Sequence, residues 1–345
     1  MTTNGIRVPT AKWLPTPLLS DGFGSAFGTS DGLGHDEGLA GGIGAGGSGV
    51  TLSNAGGTWS VSGGKAINTP SVGAEVLTNG DFSAWTGDNP DGWTLPVAED
   101  GSNYVTEIAG TLHFVAASAS EFRVEQNALT IGNWYRGSLS VSSITGTFIS
   151  GSNKGVSRYN IATGTSIWTG RADGISARLI GSSGAVDAVV DDWSFKPLTL
   201  SELLTLSNLS CADVYAGVAI TKSNIYVQAG LALNWDSASS PANGLIVYLS
   251  GGYIYVDKCV AGTWTNVNRT AYTYSAGARL VCTMNAGALR TYYNGALVKA
   301  DTIADAGILT GTMSGLFSTD ASSTLDDLTA YAIGTGGEYS QLDSY

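Results

Sequence analysis

The chain is poor in charge. Only 13% of its 345 residues are Asp, Glu, Lys or Arg, and these leave a formal net charge of −12. The clustered Lys and Arg needed to neutralise nucleic-acid phosphates are missing, so no nucleic-acid partner is expected. No run approaches the roughly 18 apolar residues of a membrane-spanning helix, so no membrane insertion is expected either. The opening MTTNGIRVPTAKWLPTPLLS has no continuous apolar stretch of the kind a secretory signal carries. Three cysteines, Cys211, Cys259 and Cys282, are too few for a disulfide framework and are not spaced as a CxxC metal pair. They read as buried thiols. A Cys259–Cys282 bridge stays open, because it depends on whether their strands pair.

Catalytic signatures are also lacking. There is no G-x-S-x-G elbow, and the two histidines, His35 and His113, stand far apart in the sequence. Glu121 and Glu125 share a strand face at a separation of roughly 13 Å. A retaining glycosidase places its carboxyl pair at about 5 Å. Asp191–Asp192 and Asp326–Asp327 are strand neighbours that point to opposite faces. The expectation is a chain without enzymatic activity.

What is abundant is glycine, 48 residues, together with 43% hydrophobic residues and nine tryptophans. A disordered chain would invert that balance of apolar and charged residues. Residues 1–20 carry Pro9, Pro15 and Pro17 and read as an extended arm. Residues 21–56 are a Gly-rich loop without the spacing of a phosphate-binding loop. From there on, short alternating runs follow one another with turn signals every 8–12 residues, the pattern of all-β sandwiches. Gly-Gly and Asn-Gly in LSGGYI and YYNGAL mark tight hairpins. SELLTLSNL, residues 201–209, reads equally as a short helix or an edge strand.

Residues 74–197 open with Leu77, Asn79, Gly80, Asp81 and Phe82, then Pro90, Gly92 and Trp93, and close with Asp191, Asp192 and Phe195. This block resembles the jelly-roll carbohydrate-binding-module family. In that family the first and last strands pair, so the two motifs would bracket a complete domain. Residues 21–73 and 198–335 resemble a single laminin-G or concanavalin-A-like sandwich, on the strength of D-G-F-G, W-S-V-S-G-G-K-A, ALRTYYNGALV and GLFSTDASSTLDDLTAYAI. The expected fold is all-β: two antiparallel β-sandwiches, the jelly roll inserted into the concanavalin-A-like one, with an N-terminal arm at 1–20 and a tail at 336–345.

The resemblance implies glycan contact through aromatic faces and polar side chains. Candidates in the jelly roll are Trp85, Tyr104, Trp134, Tyr135, Arg136, Arg158, Tyr159 and Trp168. Trp134 and Tyr135 are adjacent in a strand and face opposite ways, so one of them belongs to the core. In the outer sandwich, Trp235, Tyr253, Tyr255, Trp264, Tyr292 and Tyr293 alternate between a core face and an exposed one, and exposed aromatics mean a ligand or a neighbouring subunit. Both resembled families hold structural calcium near strand ends. Here Glu75, Asp81 and Asp192 are the residues that could share such an ion, the alternative being that Asp81 and Asp192 only organise turns.

The combination of arm, sandwiches and missing catalytic motifs resembles phage-type virion surface components: decoration proteins, fibres or adhesins. It implies an anchor through residues 1–20 to a capsid or tail protein or to further copies of the chain. It also implies a cell-surface glycan as partner and a place on the virion surface. The alternative is a secreted or soluble carbohydrate-binding protein accessory to polysaccharide degradation.

Overall fold

In the computed structural model the residues described are 19–21, 52, 58–117, 122–152 and 159–333. Most of the expected arm, nearly all of the Gly-rich loop, the tail, His35, Glu121 and Arg158 lie outside them. The chain is nearly all β and divides into two units, residues 70–200 with 226–228, and the remainder.

The unit of residues 70–200 is organised by two long antiparallel strands, Trp134–Ser152 and Ser176–Leu198. Every other strand of its seven-stranded sheet leads to one of these two, directly or through a neighbour. The pairing of the two slips at Gly181/Ser183, Ser183/Asp187, Val189/Val190 and Asp191/Ser194. Such bulges bend a strand and increase its twist. One end of Ser176–Leu198 can then pair with Arg123–Asn127 and a later stretch with Thr111–Ala116. Alternation does the rest: Leu112, Phe114 and Ala116 are buried and their neighbours are not. The core collects Phe82, Trp93, Phe114, Phe122, Trp168, Trp193 and Phe195.

The segment before the first regular strand is tied to the last strand. Gly73 N–H donates to Pro197 O at 2.9 Å, Val76 N–H to Phe195 O at 3.0 Å and Trp193 N–H to Gly80 O at 2.8 Å. Gly80 passes so close to Trp193 that a Cβ there would lie 2.0 Å from the Trp193 carbonyl oxygen. Trp93 stacks on Trp193 with centroids 4.7 Å apart. Asn79, at φ 51°, holds the intervening loop by accepting from Ala84 N–H and donating to the carbonyls of Ala84 and Asp91.

The other unit packs two sheets about one core. The eight-stranded sheet runs Trp59–Ser62, Lys65–Asn68, Ser323–Ala332, Val214–Lys222, Ala278–Asn285, Ala288–Tyr293, Ala296–Thr302, with Leu19–Asp21 also on Ser323–Ala332. The six-stranded sheet runs Leu204–Asn208, Met313–Ser318, Ala229–Trp235, Gly244–Ser250, Tyr253–Val260, Thr263–Ala271. Gly251–Gly252 and Asn294–Gly295 are two-residue hairpin turns with both φ positive, as the sequence suggested. Residues 201–209 resolve the open alternative by being both: a single helical turn, Leu200–Leu203, then the edge strand Leu204–Asn208. Leu19 and Ser20, expected in the extended arm, pair with Ala330 and Thr329 of their own chain, and Asp21 with Leu328. Cys259 and Cys282 sit in different sheets, and all three cysteines are free thiols.

One buried charge stands out in this unit. Lys222, 6% exposed, ends the strand Val214–Lys222, and its ammonium donates to the carbonyls of Ile225 at 3.1 Å and Leu249 at 2.7 Å. Burial pushes its pKa down to about 7.

Candidate functional site

Three neighbouring strands, Gly244–Ser250, Tyr253–Val260 and Thr263–Ala271, hold the most concentrated arrangement of aromatic and polar side chains in the six-stranded sheet. Alternation sends Leu245, Val247, Leu249, Ile254 and Val256 into the core. It therefore places Tyr248, Tyr253, Tyr255 and Asp257 on the opposite face. The Gly251–Gly252 turn sets Tyr248 directly across from Tyr255, and Tyr255 directly across from Arg269. Neighbouring strands lie about 4.8 Å apart, which is the spacing at which aligned rings stack. The Tyr248 and Tyr255 rings are 5.1 Å apart and only 12° from parallel. The row continues on one side to Phe317, 5.5 Å from Tyr248. On the other side the Arg269 guanidinium lies 4.6 Å over the Tyr253 ring.

Asp257 faces Asn266 in the register set by the Ala261–Gly262 turn, and a bulge between Val256 and Asp257 then shifts the register so that Arg269 faces Tyr255. Asp257 is fully buried. A buried carboxylate requires donors, and it has them. Tyr248 Oη donates to it at 3.0 Å and Asn266 Nδ2 at 2.7 Å. Burial holds the Tyr255 phenol above its ordinary pKa, while the Arg269 guanidinium beside it pulls the other way. The neutral phenol keeps its proton as a donor. Toward solvent the cluster offers Arg269 and Asn266, which are exposed, and Tyr253 and Trp264, which are half-buried. Buried rings and a hydrogen-bonded carboxylate thus support an exposed rim of ring face, amide and guanidinium. That rim can stack on apolar C–H surfaces and hydrogen-bond hydroxyls or anions.

The jelly-roll candidates do not come together in this way. Trp168 and Tyr135 lie inside the core. Trp168 sits edge-on to Phe195 at 5.7 Å, and Tyr135 Oη accepts Thr130 N–H at 2.9 Å. Trp134 is buried as well, so the expectation that only one of the pair is internal fails. No ring face of these three is open to a ligand. Trp85 is half-buried, its indole N–H donating to Phe82 O at 2.6 Å, and Arg136 is half-buried. Tyr104 is half-buried and meets the edge of His113, whose Nε2 lies 2.9 Å from Asp187 Oδ1. Arg158 and the side chain of Tyr159 fall outside the described residues. In the outer sandwich Trp235 and Tyr293 are core, whereas Tyr253 and Trp264 reach the surface.

The calcium donors do not fit an ion together. Glu75 Oε1 accepts the N–H groups of Val76, Leu77 and Phe195, and its Oε2 accepts the Ser194 hydroxyl. Both oxygens are thus engaged in tying the opening segment to the last strand. Asp192 sits at φ 50° with its N–H on Asp191 Oδ1. The Asp191 carboxyl is held above the usual range by burial and by the like charges of Asp192 and Asp81. Among the described residues no group of three or more His, Cys, Asp or Glu side chains is placed to hold a metal.

The sequence reading named Tyr253, Tyr255 and Trp264 but missed Tyr248, Asp257, Asn266 and Arg269. A signal for three of them existed. A two-residue turn at Gly251–Gly252 forces residue pairs summing to 503, so Tyr248 opposite Tyr255 follows by arithmetic, and Asp257 lies on the same face two residues on. Asn266 opposite Asp257 follows likewise from the Ala261–Gly262 turn, whose pairs sum to 523, whereas the bulge that brings Arg269 opposite Tyr255 has no such signature.

No family model matches the chain, and no curated protein matches it. Solved structures do resemble it. The carbohydrate-binding module CBM66 from Bacillus subtilis is 15% identical over 36% of this chain and 76% of its own, with a TM-score of 0.27. Sheep galectin-11 is 6% identical over 35% and 90%, at 0.30. The GH43 protein BlXynB from Bacillus licheniformis is 14% identical over 82% and 74%, at 0.32. The expectation of a chain without enzymatic activity is corrected here, because a glycosyl hydrolase stands among these similar structures.

Proposed function

We propose that the chain is a glycan-recognition protein whose contact surface is the exposed rim of Tyr253, Trp264, Asn266 and Arg269 on the six-stranded sheet. One observation carries this reading. The Tyr248–Tyr255–Arg269 row, backed by Asp257 and Asn266, assembles stacked rings, a carboxylate, an amide and a guanidinium on adjacent strands. Sugars present apolar faces and hydroxyl rims, and the ring, amide and guanidinium groups of the rim held by this buried row complement both. The setting we propose is a virion surface, with the chain held through residues 1–18, and the secreted or soluble carbohydrate-binding protein as the alternative setting.

Binding of the full chain to an array of immobilised neutral and acidic oligosaccharides tests the recognition. Tyr253→Ala should weaken the best-bound glycan by about tenfold, the scale of one lost aromatic contact. Absence of binding to every glycan, or unchanged binding by Tyr253→Ala, refutes the site. Light scattering of the full chain and of one lacking residues 1–18 tests the anchor. A defined oligomer that the truncation dissolves supports self-anchoring, and equal masses remove it.

A further inference from the structure

We infer that the glycan taken by this surface carries a carboxylate, and that Arg269 is the group that receives it. This inference rests on the glycan-recognition reading above. Its ground is what the guanidinium does with its donors. Several other cations among the described residues are committed to the protein. Lys258 pairs with Asp305 at 2.8 Å, and Arg123 and Arg178 converge on one oxygen of Glu125 at 2.8 and 3.2 Å. Arg279 donates to the carbonyls of Asp327 at 2.9 Å and Gly217 at 3.2 Å, and to the Thr329 hydroxyl. Arg269 is different. Among the described residues it has no carboxylate within ion-pair distance, and its contacts are with Tyr253 and the Tyr255 phenol.

Stacking on Tyr253 fixes the plane of the fork without using up its N–H groups. A guanidinium has five donors in a rigid planar array. Here most of them point to no acceptor of the protein, while the side chain remains exposed. Two carboxylates bonded to neighbours of Arg269 on its strand are otherwise engaged: Asp257 with Tyr248 and Asn266, and Asp301 with Asn268 Nδ2 at 3.1 Å. An immobilised fork with open donors beside a ring face matches a planar bidentate acceptor attached to an apolar ring, which is a uronate or sialate type of sugar. The net charge of −12 does not prevent this. Exposed charges more than about 8 Å away are largely screened at physiological ionic strength, so the local guanidinium governs.

The test uses three acids and their methyl esters: oligogalacturonate, alginate oligomers and sialyllactose, titrated calorimetrically into the full chain. The expected result is that at least one acid binds ten times or more tighter than its ester. In Arg269→Gln that preference should collapse to about one. Arg269→Lys should recover only part of it, because an ammonium keeps the charge and loses the fork. Three results overturn the inference and leave glycan recognition standing: acid and ester binding alike, a preference that survives Arg269→Gln, or array binding confined to neutral glycans. An array on which nothing binds overturns the glycan reading itself.

Discussion

Lys222 makes the stability of the outer unit depend on pH in a direction opposite to that of an ion-paired lysine. Its unfolded pKa is the ordinary lysine value of 10.5 and its folded value about 7. Between these values the unfolded chain holds a proton that the folded chain has released. Stability therefore rises with pH across this window and is flat below it. Over pH 7 to 9 the two values give a gain of about 2 kcal/mol, from 1.36 kcal/mol per pH unit weighted by the difference in protonation. The perturbation is Lys222→Met, which keeps the length of the apolar stem and removes the titration. It also removes the donor to the Ile225 and Leu249 carbonyls, so slopes are compared rather than absolute stabilities. Urea unfolding followed by tryptophan fluorescence at pH 7, 8 and 9 should give a rising midpoint for the native chain and a flatter one for Lys222→Met. Parallel slopes in the two proteins would show that the ammonium is solvated or otherwise compensated in the fold, and the reasoning from burial would be wrong.

Two further predictions concern other parts of the structure. Gly80→Ala forces a Cβ to within 2.0 Å of the Trp193 carbonyl oxygen and should destabilise the unit of residues 70–200 by about 1–3 kcal/mol or more. A thermal transition unmoved by this change would mean that the close approach of the opening segment to the last strand is not made. Cys282 is fully buried, with its thiol pKa pushed up to about 12, and Cys259 is fully buried too, so neither should react with a disulfide reagent in the native protein at pH 8. Burial and the Asp213 charge also raise the pKa of half-buried Cys211, which should react slowly. Rapid modification of Cys282 without unfolding would contradict its placement.

The legible and illegible parts of the fold separate along one physical line. Local chemistry was readable. The Gly-Gly and Asn-Gly turns and the alternation of Thr111–Ala116 follow from φ requirements and the period of two, whereas the tie between the opening motif and the last strand was implied only by the family resemblance. The motif residues turned out to be structural: Leu77, Phe82, Trp93, Trp193 and Phe195 are core, and Asn79 and Gly80 shape one loop. What could not be read was anything that depends on which strand lies beside which. Trp134, Tyr135 and Trp168 have the composition of a sugar platform, and only burial shows that their faces are covered. Arg269 joins the candidate site because of a bulge, an extra residue that shifts a register and leaves no mark in the amino-acid pattern.

The double aspartates show the same limit in a form that repeats. Asp191–Asp192 and Asp326–Asp327 were read as neighbours facing opposite ways. In both, the second residue is left-handed at φ 50°, and its N–H returns to the first carboxylate. Both coincide with a register slip in the last strand of their unit. Aspartate tolerates that backbone conformation better than most residues, which explains why it recurs where each strand must bend.

The hydrogen bond from Gly73 to Pro197, with the Val72–Leu198 bridge beside it, has a consequence for engineering. Paired strand residues have Cα atoms about 5 Å apart, so the entry and exit of the 70–200 unit could be spliced by a linker of two or three residues. The unit is in that sense a cassette, removable or exchangeable without lengthening the host chain. The excision would not be clean. Tyr226–Gln228 groups with the cassette, and the Gln228 amide Nε2 donates to Thr169 O at 2.6 Å. Excising residues 70–200 would therefore leave Tyr226–Gln228 in the host without the unit they group with.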